Sequence, residues 1–161
     1  MYRSGQQGIQ LPMTLTIDEH RFALVTELEL QKAIRLHYPV SILAILPDPE
    51  GDGEVADPPR LAGQLARVIG LVIRGTDLIR LPTATTSLHV LLVDAQFEQL
   101  QGIIQRITEE IGRRTFQINR ERRPVRLSLG GACFPSTAST LRDLLAQAEL
   151  RAQEARRRSR W

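Results

Sequence analysis

A run of seven almost entirely apolar residues, Val40–Leu46, follows directly after Pro39 and constrains the fold of this 161-residue chain more than any other feature. Ser41 is the one polar residue in the run. A strand with one wet face alternates apolar and polar residues, so a nearly continuous apolar run predicts a strand that is buried on both faces. The run therefore points to a covered sheet, as in α/β folds.

Helical patterns lie on either side of this strand. A first helix is predicted from a cap at Asp18 to Tyr38, because the segment lacks Gly and Pro and the proline after it forces an end. A second helix has apolar residues at helical spacing and is predicted to end at Arg74, with Gly75 in the left-handed C′ position. The same spacing predicts two further helices, over 97–111 and 139–157.

Shorter apolar segments predict the remaining strands. Residues 77–81 and 88–93 form two strands joined by a Pro/Thr/Ala stretch, and 125–134 forms another, with 115–118 as a candidate partner. The strand over 125–134 is expected inside the sheet, because it alternates little and contains small residues. The alternation of helices and strands predicts an α/β sandwich of two or three layers.

Composition places the chain among ordinary globular proteins. It is 42% apolar and 24% charged, which predicts one domain over 16–161 after a disordered lead over 1–15. Cys133 is the single cysteine, so no internal disulfide can form. No segment approaches the roughly 18 apolar residues of a membrane span, and a cytoplasmic location is expected.

The charge is divided unevenly along the chain. Residues 1–112 carry nine basic and fourteen acidic side chains, whereas 113–161 carry twelve arginines and four acids. The densest basic run is Arg156–Arg160, which fits either a solvated helix end or a docking patch for nucleic acid or a membrane surface. The lack of interleaved aromatic residues favours the solvated end, and no specific nucleic-acid partner is expected.

Several spaced motifs resemble those of the GGDEF domain, the diguanylate cyclase fold. Phe22, Glu29 and Lys32 lead into the first buried strand as in the family's F-x6-E-x2-RA pattern, and 128–135 is similar to its S-x-G-x-A strand. Residues 144–156 look like its last helix. The resemblance implies a nucleotidyl-cyclase-like sandwich, with a central mixed sheet of about five strands flanked by helices.

The chain departs from this family where the family performs catalysis. Joining two GTP molecules by phosphoryl transfer requires carboxylates that hold divalent ions at the phosphates. The family's signature is replaced here by Ala84–Leu88, which contains no glycine and no acid. The family's first metal-binding aspartate corresponds in position to Leu46 of this chain, and its second corresponds to Asp48. The family's late lysine corresponds to Arg156. We therefore expect no enzyme activity, no metal site and no cofactor.

One binding motif of the family has a counterpart. Many diguanylate cyclases bind a cyclic di-GMP dimer at an R-x-x-D site shortly before the signature, and this chain has Arg74 and Asp77 there. Arginine can pair with guanine O6 and N7, and a carboxylate can accept from guanine N–H groups. The resemblance implies that Arg106 completes the site from a neighbouring domain. The alternative is structural: Arg74 compensates a helix end and Asp77 makes a local turn bond.

Other candidates are weaker. Residues 48–53 imitate the start of a calcium loop, but position twelve is Pro59, so a solvated loop is expected. The three histidines, His20, His37 and His89, lack ligand spacing, and Cys133 is expected to be a buried, inert residue.

Three functions remain open from the sequence. The first is a catalytically inactive regulatory domain that binds cyclic di-GMP through Arg74, Asp77 and Arg106. The second is a protein interaction or dimerisation domain that has kept the fold without a ligand. The third is a diverged enzyme, which ranks last because the sequence offers no site for its chemistry. In either of the first two cases a partner protein or self-association is expected.

Overall fold

The computed structural model describes residues 15–51, 53–82 and 87–159. The helices are α1 (Glu19–Leu36), α2 (Pro58–Ile69), α3 (Phe97–Gly112) and α4 (Leu141–Ser159). The strands are β1 (Leu15–Ile17), β2 (Val40–Pro49), β3 (Leu78–Arg80), β4 (Leu88–Val93), β5 (Phe116–Ile118), β6 (Glu121–Arg123) and β7 (Val125–Phe134). Strand β1 begins at the last residue of the predicted lead, and the rest of that lead lies outside the described residues.

Five of the strands form one mixed sheet in the order β1-β3-β4-β2-β7. Strand β1 runs parallel to β3, and the other neighbouring pairs are antiparallel. Strands β5 and β6 form a separate two-stranded sheet. The described chain therefore has the predicted architecture, a mixed five-stranded sheet flanked by helices.

Strand β2 lies at the centre of this architecture, as its composition predicts. It pairs with β4 on one side and with β7 on the other, and residues 40–47 are all buried. Its one polar side chain in the apolar run, Ser41, donates to the Ala95 carbonyl at 2.7 Å. This bond offsets the cost of burying the hydroxyl group.

Two apolar clusters cover the two faces of the sheet and make a three-layer sandwich. One joins the sheet to α2 and α3 through residues such as Leu65, Ile69 and Ile107. The other joins it to α1 and α4 through residues such as Phe22 and Leu144. Alternate residues of β2 point into each cluster, which explains why its sequence is apolar throughout.

The ends of α1 agree with the sequence. The Asp18 side chain accepts the Arg21 N–H at 2.8 Å, which is the predicted N-cap bond. At the other end His37 adopts a left-handed conformation, with φ of 60°, and its N–H donates to the Ala33 carbonyl.

The predicted end of α2 is wrong. The helix ends at Ile69, and Gly70 has a right-handed φ of −59°, so Gly75 is not its C′ residue. Tight turns follow instead, with Leu71 donating to the Val68 carbonyl and Val72 to the Ile69 carbonyl. Apolar spacing continues through these turns, which is why the sequence alone suggested a longer helix.

Two strand predictions also need correction. Strand β7 lies at an end of the sheet, not inside it, and its last residues are buried because helices cover both faces. Residues 116–118 pair with β6 and not with β7. Asn119 and Arg120 have φ values of 51° and 70°, and two such residues form the tight turn that favours this local hairpin.

Candidate functional site

The candidate site is the turn between α2 and β3, at residues 74–77. Asp77 is 2% exposed, and its carboxylate accepts the Arg74 N–H at 2.8 Å and the Val93 N–H at 2.9 Å. The Asp77 N–H donates back to the Arg74 carbonyl at 3.0 Å. Both carboxylate oxygens therefore face backbone groups, as the structural alternative for this aspartate expects.

Arg74 lies on the outer side of the same turn. Its Nη2 atom donates to the carbonyls of Val93 at 3.0 Å and Asp94 at 3.3 Å. Asp94 has a left-handed φ of 57°, at the point where the chain turns from β4 toward α3. The side chain is exposed, and both of these bonds use one nitrogen, so the guanidinium can also donate outward.

The environment of Asp77 sets opposing influences on its ionisation. Burial raises the pKa of Asp77 above its usual range, while the N–H groups of Val93 and Arg74, and the Arg74 charge, lower it. The ionised carboxylate accepts both N–H groups. Protonation would weaken these bonds, which tie the α2–β3 turn to the end of β4.

Arg106 lies elsewhere on the domain. It is exposed on α3, nine residues after the helix begins at Phe97. Nine residues correspond to about 14 Å along a helix axis. The carbonyls that Arg74 contacts precede that helix, so Arg74 and Arg106 occupy separate positions within one chain.

The positions that correspond to the family's metal site lie at the other end of β2. Leu46 is buried in the α1/α4 cluster and stands opposite Ser128 in the sheet. Asp48 stands opposite Arg126, and the Arg156 Nη2 atom donates to the Pro47 carbonyl at 3.0 Å. Of the segment that replaces the signature, residues 84–86 lie outside the described residues, and Leu88 is buried in β4.

Cys133 is buried and the described part of the calcium-like loop is mostly exposed, as the sequence predicts for an inert cysteine and a solvated loop. The Cys133 thiol is buried and donates to the Ala95 carbonyl at 3.6 Å. Gly51 and Gly53 have left-handed φ values in an exposed loop, and Asp52 between them lies outside the described residues.

A polar cluster that the sequence did not predict lies between α1, α4 and the β3–β4 pair. His89 is almost fully buried, its Nδ1 atom contacts Arg80, and its Nε2 atom lies 2.8 Å from Glu149. Arg80 also lies 3.4 Å from the exposed Glu19. Arg80 and His89 are register partners across the hairpin, a relation that a correct pairing of the two predicted strands could have indicated.

The described ranges contain no group of three or more His, Cys, Asp and Glu side chains arranged to hold a metal ion. Their helices include none with the length and apolar character needed to cross a membrane.

Comparison with solved structures establishes the fold. The GGDEF domain of FimX from Pseudomonas aeruginosa has a TM-score of 0.74 at 20% identity, covering 91% of this chain and 93% of that chain. No protein-family model matches the sequence, and a search of curated proteins finds no match. The chain therefore has the GGDEF fold, and the fold that the sequence motifs implied is confirmed.

Two further solved structures bear on activity and ligands. The active GGEEF domain of a diguanylate cyclase from Vibrio cholerae has a TM-score of 0.70 at 14% identity, covering 91% of this chain and 92% of that chain. The coiled coil and GGDEF domain of DgcB from Caulobacter crescentus, in complex with c-di-GMP, has a TM-score of 0.70 at 11% identity. The match covers 90% of this chain and 78% of that chain.

These likenesses correct the prediction that the chain is not an enzyme. That prediction treated missing carboxylates in the signature segment as decisive. The fold is that of diguanylate cyclases, including a domain described as active, and residues 84–86 lie outside the described part of the chain.

Proposed function

We propose that this domain is a signalling module of the GGDEF fold that binds cyclic di-GMP at the α2–β3 turn. The observation that carries the proposal is the exposed Arg74 guanidinium, which is fixed at the end of β4 by a single nitrogen. A planar guanidinium held in this way can donate to guanine O6 and N7 or to a phosphate. The c-di-GMP complex of the similar DgcB domain supports the choice of ligand.

The proposal gives the three predicted residues different roles. Arg74 contacts the ligand. Asp77 is a positioning residue, because its carboxylate is buried and holds the backbone of Arg74 and Val93. Arg106 acts from a second copy of the domain, since it stands about 14 Å along α3 from the start of that helix.

Isothermal titration with cyclic di-GMP tests this assignment. Arg74→Ala is expected to weaken binding by about 1 to 3 kcal/mol, the usual value of a bidentate arginine contact with guanine. Arg67→Ala is the matched control, because Arg67 is another exposed arginine, on α2, outside the turn. Loss of the two carbonyl bonds of this exposed side chain should lower the free energy of unfolding of Arg74→Ala by about 1 to 2 kcal/mol.

The variants also test the division of roles. Arg106→Ala should weaken binding less than Arg74→Ala, and by an amount that depends on protein concentration. GTP in place of cyclic di-GMP shows whether any heat comes from guanine recognition in general. No heat with the unmodified protein, or equal binding by Arg74→Ala, would reject this site.

A second candidate function is self-association through the outer faces of α1 and α4. Leu24, Leu28 and Leu150 are each more than half exposed there, on the sides of their helices that face away from the sheet. Sedimentation velocity of the unmodified chain and of Leu28→Glu tests this function, with Gln31→Glu as the control on the same helix. A monomer at all concentrations would argue against it.

A further inference from the structure

A recess of about 380 Å³ opens between α1 and α4, on the face of the sheet that these helices cover. Its walls combine four apolar residues with four that are charged or polar. The apolar residues are Phe22, Ala23, Leu145 and Ala146, and the others are Glu19, Arg80, His89 and Glu149. We call this feature the α1/α4 recess. Its volume is within the range of small-molecule pockets, and half of its lining residues are apolar.

His89 forms the buried part of the recess. Its Nδ1 atom faces the Arg80 guanidinium, which can only donate, so the ring proton lies on Nε2. Nε2 is 2.8 Å from a Glu149 carboxylate oxygen but has no hydrogen-bond partner. Burial, aided by the Arg80 charge, lowers the pKa of His89 to about 4. The histidine is therefore neutral at neutral pH, and it lies beside the Glu149 carboxylate without neutralising it.

The charges around the recess do not balance. Arg80 is paired with Glu19 at 3.4 Å, which leaves Glu149 with a neutral histidine as its partner. The Glu149 side chain is 40% exposed, so it stands at the mouth, where a ligand can reach it. A carboxylate without a cationic partner beside apolar walls favours a cation that carries an apolar group.

We propose that the α1/α4 recess binds a small primary ammonium compound, with its ammonium group at Glu149 and its apolar body against Phe22 and Leu145. An anion is disfavoured because Arg80, the cation in the recess, already contacts Glu19 and His89. This site lies on the helix-covered face, separate from the Arg74 turn at the end of β4.

Benzylamine is a suitable probe, because it joins a primary ammonium to one ring. Titration of the full chain, followed by the ¹⁵N signals of the His89 ring and by ligand-induced thermal stabilisation, should show saturable binding. Glu149→Gln keeps an acceptor for His89 but removes the charge, and should weaken binding about tenfold or more. Glu154→Gln, an exposed glutamate later on α4, is the matched control and should bind as the unmodified chain does.

A second variant tests the shape of the recess without changing its charges. Ala146 is exposed at its wall, so Ala146→Leu should fill space, leave the His89 signals in place and abolish saturable binding. No saturable shift with millimolar benzylamine, unchanged affinity in Glu149→Gln, or equal binding of benzoate would each overturn the proposal. Binding of cyclic di-GMP at Arg74 is measured with other variants, so failure of either proposal is distinguishable from failure of the other.

Discussion

Substitution of His89 by glutamine is expected to reduce the acid sensitivity of the fold. The imidazole accepts from Arg80 at Nδ1, its Nε2 atom lies 2.8 Å from a Glu149 carboxylate oxygen, and it is almost fully buried. Glutamine can reproduce both contacts with its carbonyl and amide groups, but it does not titrate. The comparison therefore isolates the proton that His89 gains in acid.

The expected magnitude follows from the two pKa values of His89. In the unfolded chain the pKa is 6.5, and in the folded chain burial and Arg80 lower it to about 4. As the pH falls from 6.5 to 4, the unfolded chain binds a proton that the folded chain cannot, so the free energy of unfolding decreases. A difference of about 2.5 pH units, at about 1.36 kcal/mol per unit, corresponds to about 3 kcal/mol.

This value is an upper limit because Glu149 opposes it. A carboxylate 2.8 Å from Nε2 favours the charged imidazolium and reduces the loss. We therefore expect the unmodified chain to lose about 1 to 3 kcal/mol more than His89→Gln between pH 7 and pH 4. Urea unfolding followed by far-ultraviolet circular dichroism at several pH values measures the difference. Parallel curves for the two proteins would refute the reasoning.

Two further predictions concern the packing of α4 and the α2–β3 turn. Gly130→Ala should destabilise the fold by about 3 kcal/mol, because its Cβ would lie 2.2 Å from the Ala152 backbone nitrogen. Gly131→Ala, whose Cβ would meet the end of a flexible leucine side chain, should cost about 1 kcal/mol in the same urea experiment. Asp77→Ala should cost about 2 to 4 kcal/mol by leaving two N–H groups without an acceptor, whereas Thr76→Ala in the exposed part of the turn should be nearly neutral.

The central part of the fold could be predicted because its sequence signals are local and agree with one another. The apolar run at 40–46 forms the first seven residues of β2, and Asp18 caps α1 through its own side chain. The position of β7 could not be read in this way. Small residues at 130 and 131 indicate close packing of other elements, but such packing occurs at an edge that is covered by helices as well as inside a sheet.

The candidate site shows a second limit of sequence reasoning, because its chemistry depends on where a distant strand ends. The spacing of Arg74 and Asp77 is compatible with a ligand that both side chains contact. In the fold, the Val93 N–H donates to the Asp77 carboxylate, and the Val93 carbonyl accepts from Arg74. The end of β4 therefore hydrogen-bonds the carboxylate but uses only one nitrogen of the guanidinium.

The buried cluster around His89 follows the same principle. Arg80 and His89 are nine residues apart and Glu149 is sixty residues further, so their contact arises from the β3–β4 register together with the seating of α4 on the sheet. Gly130 permits that seating, since a side chain there would collide with the α4 backbone. The distance between His89 and Glu149 thus depends on a glycine that touches neither of them. A variant that displaces α4 from Gly130 should therefore also move the pKa of His89 toward its ordinary value, by admitting water to the imidazole.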